Sequence, residues 1–363
     1  MMRLLQRLLK EPIIRLTDKY SSRPDPKRIN EALSNLYNNI LENPGKRGLV
    51  IPFDARHQKF IILSDQHKGA RDGADDFALA EKNYLAALDH YNKNNFHYIN
   101  LGDSEELWEN MFLTVKKHNK ATFECEKQFL ARNAFTKIFG NHDLYWDNDP
   151  LAPISLMQVY GQNIKIYEGL ILETQIKDKP FSIYLTHGHQ GDMQSDGNWF
   201  SKWFVSTIWG PLQAYLRINP NTPANNDQLK TVHNRLMYEW IEKRENLLLI
   251  TGHTHQPVFR SLTHLETLYA ALDKAKAAND AVLIDKLQHQ ITGRHLKGDQ
   301  VLEFKDHSYK PCYFNSGCCC FDDGDITGIE IENGCIRLIK WKYAAHKTPE
   351  RIVLEECGLE ELV

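Results

Sequence analysis

Six short apolar runs, separated by stretches with helical spacing, constrain the fold of this chain more than any other feature. The runs are KFIILS, FHYINL, AFTKIF, FSIYLT, NLLLIT and CYFNS, and each is typical of a buried β-strand. Helical segments such as DDFALAEKNYLAALDHYNKN lie between several of them. This alternation predicts an α/β fold built in layers, with much parallel strand pairing. Later in the chain, Asn333-Gly334 separates two alternating runs and predicts a β-hairpin.

Polar residues that bind metal ions in proteins directly follow five of these runs. In layered α/β folds ligands bind at the carboxyl ends of strands, so these side chains are expected to meet at one rim. Neighbouring glycines allow tight turns and close backbone approach there. The residues are Asp65 and His67 after the first run, Asp103 after the second, Asn141 after the third, His187 after the fourth, and His253 and His255 after the fifth.

The chemistry of this set indicates a site for two metal ions. Aspartate, asparagine and histidine without thiolate suit Mn²⁺, Fe²⁺, Zn²⁺ or Mg²⁺. The set is too large for one tetrahedral ion, and it divides between two ions if a carboxylate bridges them. Two ions about 3.5–4 Å apart stabilise the attacking and the leaving oxygen of a phosphoryl displacement. The pattern therefore predicts metal-dependent chemistry at phosphorus.

The ordered motifs D-x-H, G-D, G-N-H-D, H and G-H-x-H resemble the calcineurin-like metallophosphoesterase family, from about residue 59 to about residue 317. The resemblance implies a layered sandwich of two mixed β-sheets flanked by helices. It also implies that Asp65, His67 and His255 hold the first ion. Asn141, His187 and His253 would hold the second, and Asp103 would bridge both.

The same resemblance implies a mechanism. A hydroxide shared by the two ions would attack phosphorus in line, with Mn²⁺ as the expected metal. His142 of the GNHD motif would act as general acid or as charge stabiliser, and Glu106 would orient it. Lys68 and Arg71, beside the D-x-H loop, are within reach of a phosphate in this interpretation.

Two branches of the family are distinguished by local sequence. Protein phosphatases carry arginine where this chain has Leu107, which argues against that branch. The segments GDSEELWE, HGHQGD and GHTHQP are similar to the UDP-diacylglucosamine hydrolases, which favours a lipid-linked diphosphate substrate, although those enzymes typically have arginine at the place of His142. In that group aromatic helices form a cap over acyl chains. The corresponding aromatic residues here are Trp199, Phe200, Trp203, Phe204 and Trp209, whose helical spacing equally suits a protein core.

The expected organisation has three parts. Residues 1–55 are interpreted as an N-terminal helical extension, 56–345 as the metallophosphoesterase domain, and 346–363 as a C-terminal tail. Two helical insertions interrupt the domain. They are the aromatic-rich cap at 198–235 and a polar helical segment at 263–298.

Charge and cysteine content bear on the class of substrate and on the cellular setting. A formal net charge of −3 makes a nucleic-acid substrate unlikely by this criterion. Seven cysteines, three of them adjacent at 318–320, suit a reducing cytosolic setting, and the adjacent three are interpreted as a buried strand end. Peripheral membrane contact through the N-terminal helix or the cap is an alternative to simple helix packing. The oligomeric state is left open.

The expected function is hydrolysis of a phosphate ester or anhydride in a phosphorylated small molecule or lipid-linked substrate. The alternatives are a pyrophosphohydrolase of a nucleotide-sugar lipid, a phosphodiesterase, and a non-catalytic scaffold that kept the fold. The scaffold hypothesis predicts broken ligand positions, whereas this chain has the full set.

Overall fold

The computed structural model of the chain describes residues 24–72, 75–108, 110–191, 227–295 and 309–363. The segment 1–20 and most of the expected cap at 198–235 lie outside these residues. The described helices are α1 (Pro26–Glu42), α2 (Glu81–Lys93), α3 (Phe112–His118), α4 (Lys120–Ala131), α5 (Tyr145–Asn148), α6 (Ala152–Tyr160), α7 (Asp227–Ile241), α8 (His264–Ala277) and α9 (Ala281–His295).

The strands divide between two sheets. They are β1 (Gly48–Pro52), β2 (Phe60–Leu63), β3 (His97–Leu101), β4 (Phe135–Ile138), β5 (Gly169–Ile176), β6 (Lys179–Thr186), β7 (Leu247–Thr251), β8 (Val258–Phe259), β9 (Leu262–Thr263), β10 (Tyr313–Asn315), β11 (Ile326–Glu332), β12 (Cys335–Tyr343) and β13 (Pro349–Gly358). One sheet has the order β1-β5-β6-β7-β10-β8-β9, and the other has the order β13-β12-β11-β2-β3-β4. All six predicted strands and the hairpin at Asn333-Gly334 are confirmed.

Both sheets are mixed, and parallel pairing is concentrated where the predicted site residues follow. Strands β2, β3 and β4 are parallel in one sheet, and β6, β7 and β10 are parallel in the other. Strand β2 is buried on both faces, as a short central strand of four apolar residues should be. This arrangement confirms the expected α/β sandwich.

The hydrophobic core lies between the sheets and beneath the helices. Ile62 and Ile99 of one sheet belong to the same buried cluster as Leu185 and Ile250 of the other. Helices α1 and α7 contact the seven-stranded sheet, while side chains of α2 and α4 cover the outer face of the six-stranded sheet. Full burial of one such side chain stabilises the folded state by about 1.5–3 kcal/mol, so these packed layers hold the strand ends in fixed positions.

Residues 1–55 are not a separate extension in the part that the structure describes. Helix α1 begins at Pro26, and its N-cap residue Asp25 accepts a hydrogen bond from the Arg28 backbone N–H at 2.9 Å. Its apolar face is buried in the main core, and β1 pairs in parallel with β5. A domain boundary at residue 55 is therefore wrong, because both elements complete the seven-stranded sheet and its cover.

Residues 346–363 are also not a tail. Most of them form β13, which pairs antiparallel with β12 at the edge of the six-stranded sheet. Many of its side chains are exposed, so its sequence lacks the apolar alternation that identifies a half-buried strand.

The expected insertion at 263–298 contains two helices, α8 and α9, within the described residues. Thr263 and Glu266 form a capping box at the start of α8. The pair packs around its own small apolar cluster, which includes Leu268, Leu272 and Ile291. Across the described ranges, no helix is both long enough and apolar enough to cross a membrane.

Candidate metal centre

The turns that follow β2, β3, β4, β6 and β7 bring the predicted site residues of the two sheets into contact. His187, after β6, links the sheets twice: its Nε2 atom lies 3.0 Å from Asp103 Oδ2, after β3, and its Nδ1 atom lies 2.8 Å from the Leu101 carbonyl oxygen. The backbone N–H of Asp65 donates to the Gly102 carbonyl at 3.0 Å, and that of His253 donates to the Asp65 carboxylate at 3.1 Å. The predicted rim therefore exists as a hydrogen-bonded unit.

The backbone of these turns is strained. Five predicted ligands have a left-handed backbone, with φ between 49° and 69°: Asp65, His67, Asp103, His253 and His255. A residue with a side chain adopts this region at a cost, and such residues cluster at functional sites. The left-handed turns therefore coincide with the positions of five of the predicted ligands.

Two glycines allow the turns to approach one another. Gly102 has φ +93°, and a Cβ there would lie 2.6 Å from His187 Nδ1. A Cβ on Gly140 would overlap the Asp103 carboxylate. A larger residue at either position would therefore separate the two sheets at the point where the candidate ligands meet.

The first group of ligand atoms comprises Asp65, His67 and His255. His67 Nε2 lies 3.1 Å from His255 Nε2, and His255 Nε2 lies 3.3 Å from Asp65 Oδ1. Two imidazole nitrogens facing each other across such a short distance are normally bridged by a proton or a cation. Asp65 is fully buried and His67 is nearly so, which raises the cost of leaving these groups without a common partner.

The second group comprises Asp103, His187, His253 and Asn141. One donor atom from each of Asp103, His187 and His253 lies within 4.8 Å of the others. Among the described residues, Asn141 Oδ1 and His253 Nε2 are buried without a hydrogen-bond partner, and His187 Nε2 faces the Asp103 carboxylate at 3.0 Å without hydrogen-bond geometry. Buried polar atoms of this kind are rare in native proteins. Their presence on three predicted ligands fits a metal ion as the partner.

Asp103 lies between the two groups. Its Oδ2 atom is 3.0 Å from His187 Nε2 and 3.8 Å from His67 Nε2, and its Oδ1 atom accepts from the His142 backbone N–H at 2.7 Å. A carboxylate with one group on each side has the position of a bridging ligand.

His142 is held from two directions. Its Nδ1 atom lies 2.7 Å from Glu106 Oε2, and the same oxygen lies 3.0 Å from His67 Nδ1. The indole of Trp108 stacks on the His142 ring at 4.2 Å between centroids. Glu106 therefore contacts both the predicted acid and a predicted ligand, whereas the sequence predicted only the contact with His142.

The charges of the site alter its pKa values. Burial lowers the pKa of His187, but the Asp103 and Asp65 carboxylates outweigh it and raise that pKa to about 9. Burial and the neighbouring His233 and His187 hold the pKa of His253 well below its ordinary value. Burial raises the pKa of Glu106, but His142 and His67 outweigh it and lower that pKa to about 2.

Two expected phosphate contacts are not at the site. Lys68 is completely buried, and its Nζ lies 2.9 Å from Glu126 and 3.1 Å from Glu105. Arg71 is bound by Glu81 at 2.5 Å. Both cations are therefore engaged in ion pairs within the fold.

Three residues at the site were not identified as such from the sequence. Trp108 stacks on His142, and the ring of His233 in α7 lies 5.0 Å from that of His253. Cys320, assigned to the core, lies beside His255. His189, two residues after His187, is buried with its ring 5.5 Å from that of His187. The sequence alone does not reveal the contacts of Trp108, His233 and Cys320, because their partners at the site are distant in sequence.

A groove of about 1330 Å³ lies at the other end of the sandwich, lined by the β5–β6 turn and the β11–β12 turn. None of the predicted ligands is among its lining residues. We assign the chemistry to the rim, because the orphaned polar atoms and the strained turns are there.

Comparison with known families agrees with this geometry. The family described as calcineurin-like phosphoesterase matches residues 58–257, so the chain belongs to that family and is a phosphoesterase. The matched segment begins just before β2 and ends just after His255, and it contains all the predicted ligands. The comparison with curated proteins gave no match.

Solved structures with a similar fold were also found. One is a single mutant of Vps29 from Entamoeba histolytica, with 14% identity over 82% of this chain and 100% of that chain, and a TM-score of 0.30. Another is a dimetal phosphatase from Danio rerio, with 9% identity over 82% of this chain and 98% of that chain, and a TM-score of 0.36. Similarities at this level carry no argument about function.

Proposed function

We propose that this chain hydrolyses phosphate esters or anhydrides with two divalent metal ions held at the rim. Asp65, His67 and His255 would hold the first ion, and Asn141, His187 and His253 the second. The observation that carries the proposal is the position of Asp103 between the two groups, together with the orphaned ligand atoms of the second group. When bound, two such ions supply an activated water and positive charge against the phosphoryl oxygens.

Residues of the chain would donate the proton that the leaving group requires. Glu106 accepts from His142 Nδ1, which leaves Nε2 as the atom that carries the transferable proton. Trp108 covers one face of the His142 ring and restricts its rotation. The His142 backbone N–H, bound to Asp103, couples the position of the acid to the bridging carboxylate. This arrangement supports His142 as general acid and Glu106 as its positioning residue.

The substrate class rests on sequence alone. The segments GDSEELWE, HGHQGD and GHTHQP support a nucleotide-sugar lipid diphosphate as the second candidate substrate. Contact with a membrane through the N-terminal helix or the aromatic-rich segment, and Mn²⁺ as the metal, remain predictions.

The experiment is hydrolysis by metal-stripped protein reloaded with Mn²⁺, Zn²⁺ or Mg²⁺. The panel contains p-nitrophenyl phosphate, bis-p-nitrophenyl phosphate and a nucleotide-sugar diphosphate. Metal-dependent turnover of any one supports the proposal, and the preferred bond separates phosphatase, diesterase and pyrophosphohydrolase. Wild-type protein that binds no metal and turns over none of the three would contradict it.

The matched controls keep folding and chemistry apart. Asp103→Asn removes the central charge with little change in shape. Glu330→Gln removes an equally buried carboxylate that is paired with Arg337 and Arg351 on the six-stranded sheet, away from the rim. Loss of metal in the first variant but not in the second assigns the effect to the site.

A further inference from the structure

The loop after β10 places the Cys320 thiol beside His255. Cys320 Sγ lies 3.7 Å from His255 Nδ1. The loop is fixed to the site by its backbone, because the Cys319 N–H donates to the Asp65 carbonyl at 3.1 Å. On its other side, the Thr327 N–H donates to the Cys318 carbonyl at 3.0 Å.

The Cys320 thiol occupies the place that oxygen acceptors occupy at two other predicted ligands, His67 and His187. His67 Nδ1 lies 3.0 Å from a Glu106 carboxylate oxygen, and His187 Nδ1 lies 2.8 Å from the Leu101 carbonyl oxygen. In each case Nε2 points into the site. A metal-binding histidine commonly donates its other ring N–H to such an acceptor, which fixes the ring and its tautomer.

His255 follows the same pattern with sulfur in place of oxygen. Its Nε2 faces His67 Nε2 at 3.1 Å and Asp65 Oδ1 at 3.3 Å, while its Nδ1 faces Cys320. One ligand atom from each of His67, His255 and Cys320 lies within 4.8 Å of the others, so the sulfur borders the first group, and the cobalt spectrum described below distinguishes positioning from direct ligation. Sulfur is a weaker acceptor than a carboxylate or carbonyl oxygen.

We propose that Cys320 positions His255 for the first metal ion through an Nδ1–H···S hydrogen bond, so that binding of this ion depends on a thiol. The inference rests on the proposed two-metal function and deepens it. Its consequence is an asymmetric centre. The first ion is held partly through a sulfur contact, while the second has a carbonyl partner at His187.

The test is a metal titration of the full chain, stripped and then reloaded with Mn²⁺ or Co²⁺, with affinity measured by calorimetry. Cys320→Ala is expected to lower the affinity for one ion by about 10–100-fold and to leave the other unchanged. Cys320→Ser, which restores a small acceptor, is expected to recover most of that loss. The control is Cys319→Ala in the same loop, because the Cys319 thiol lies in the hydrophobic cluster under α2.

The outcomes separate this inference from the function on which it rests. Wild type that binds two ions, with Cys320→Ala and Cys320→Ser binding them equally well, overturns the role of Cys320. Wild type that binds no ion refutes the two-metal function instead. A near-ultraviolet thiolate-to-cobalt charge-transfer band that disappears in Cys320→Ala overturns positioning, because sulfur is then a direct ligand. Positioning predicts that the band is absent.

Discussion

Substitution of Glu106 tests its contact with the proposed acid, His142, separately from its contact with the proposed metal ligand His67. One oxygen of its carboxylate accepts from His142 Nδ1 at 2.7 Å and from His67 Nδ1 at 3.0 Å. Glu106→Gln retains an oxygen of the same size and removes the charge. A hydrogen bond to a charged group contributes about 1.5–3 kcal/mol against about 1 kcal/mol for a neutral one. Each contact therefore loses about 0.5–2 kcal/mol, which corresponds to roughly 2- to 30-fold.

The two losses appear in different assays. The contact with His142 affects turnover, so kcat at saturating metal is expected to fall by about 2- to 30-fold. The contact with His67 affects the first ion, so its affinity is expected to fall by a similar factor. The assay is a double-mutant cycle with His142→Ala, which alone should lower kcat by about 10²–10⁴-fold while both ions remain bound.

In the His142→Ala background, Glu106→Gln should still weaken the first ion but should lower kcat no further at saturating metal. Glu330→Gln serves as the control for loss of a buried carboxylate. If the fold-losses in kcat caused by the two single substitutions multiply in the double variant at saturating metal, Glu106 does not act through His142 and the reasoning is refuted.

Two further predictions concern stability. Burial, with a smaller contribution from Arg132, lowers the pKa of His97 to about 4 from 6.5, so the unfolded chain binds its proton first and stability falls as pH drops from about 6.5 towards 4. His97→Gln should remove this pH dependence, which changes the free energy of unfolding by at most about 3 kcal/mol. Urea unfolding that depends equally on pH in the wild type and in the variant would contradict this prediction. Lys68→Met leaves Glu126 buried without its cation and should lower the free energy of unfolding by about 3–5 kcal/mol, measured by urea unfolding. Lys93→Met, which breaks an exposed ion pair, should lower it by at most about 1 kcal/mol. A Lys68 variant as stable as the Lys93 variant would count against a structural role for that ion pair.

Much of the fold and the candidate ligand set could be predicted because their signals are local. A strand such as β2 is a continuous apolar run, and Asp65 and His67 follow it directly. The edge strand β13 was missed for a physical reason. In β13 most side chains are partly or fully exposed, so its sequence carries little burial pattern.

The remaining features depend on contacts between distant segments. The place of Lys68 beside the D-x-H motif predicts a phosphate contact, but its partner Glu126 in α4 holds it in a buried ion pair instead. From sequence, Cys320 is interpreted as part of a buried strand end. Its thiol reaches His255 only because the loop after β10 approaches Asp65. No pattern within either segment records these contacts.

The most direct test of the central claim is the number of metal ions bound by wild type and by Asp103→Asn, measured by elemental analysis alongside phosphate-ester hydrolysis. The proposed bridging position predicts two ions per wild-type chain, with metal and activity lost together in Asp103→Asn and retained in Glu330→Gln. Full metal content and undiminished hydrolysis in Asp103→Asn would contradict the bridging role of Asp103 and the two-metal mechanism built on it.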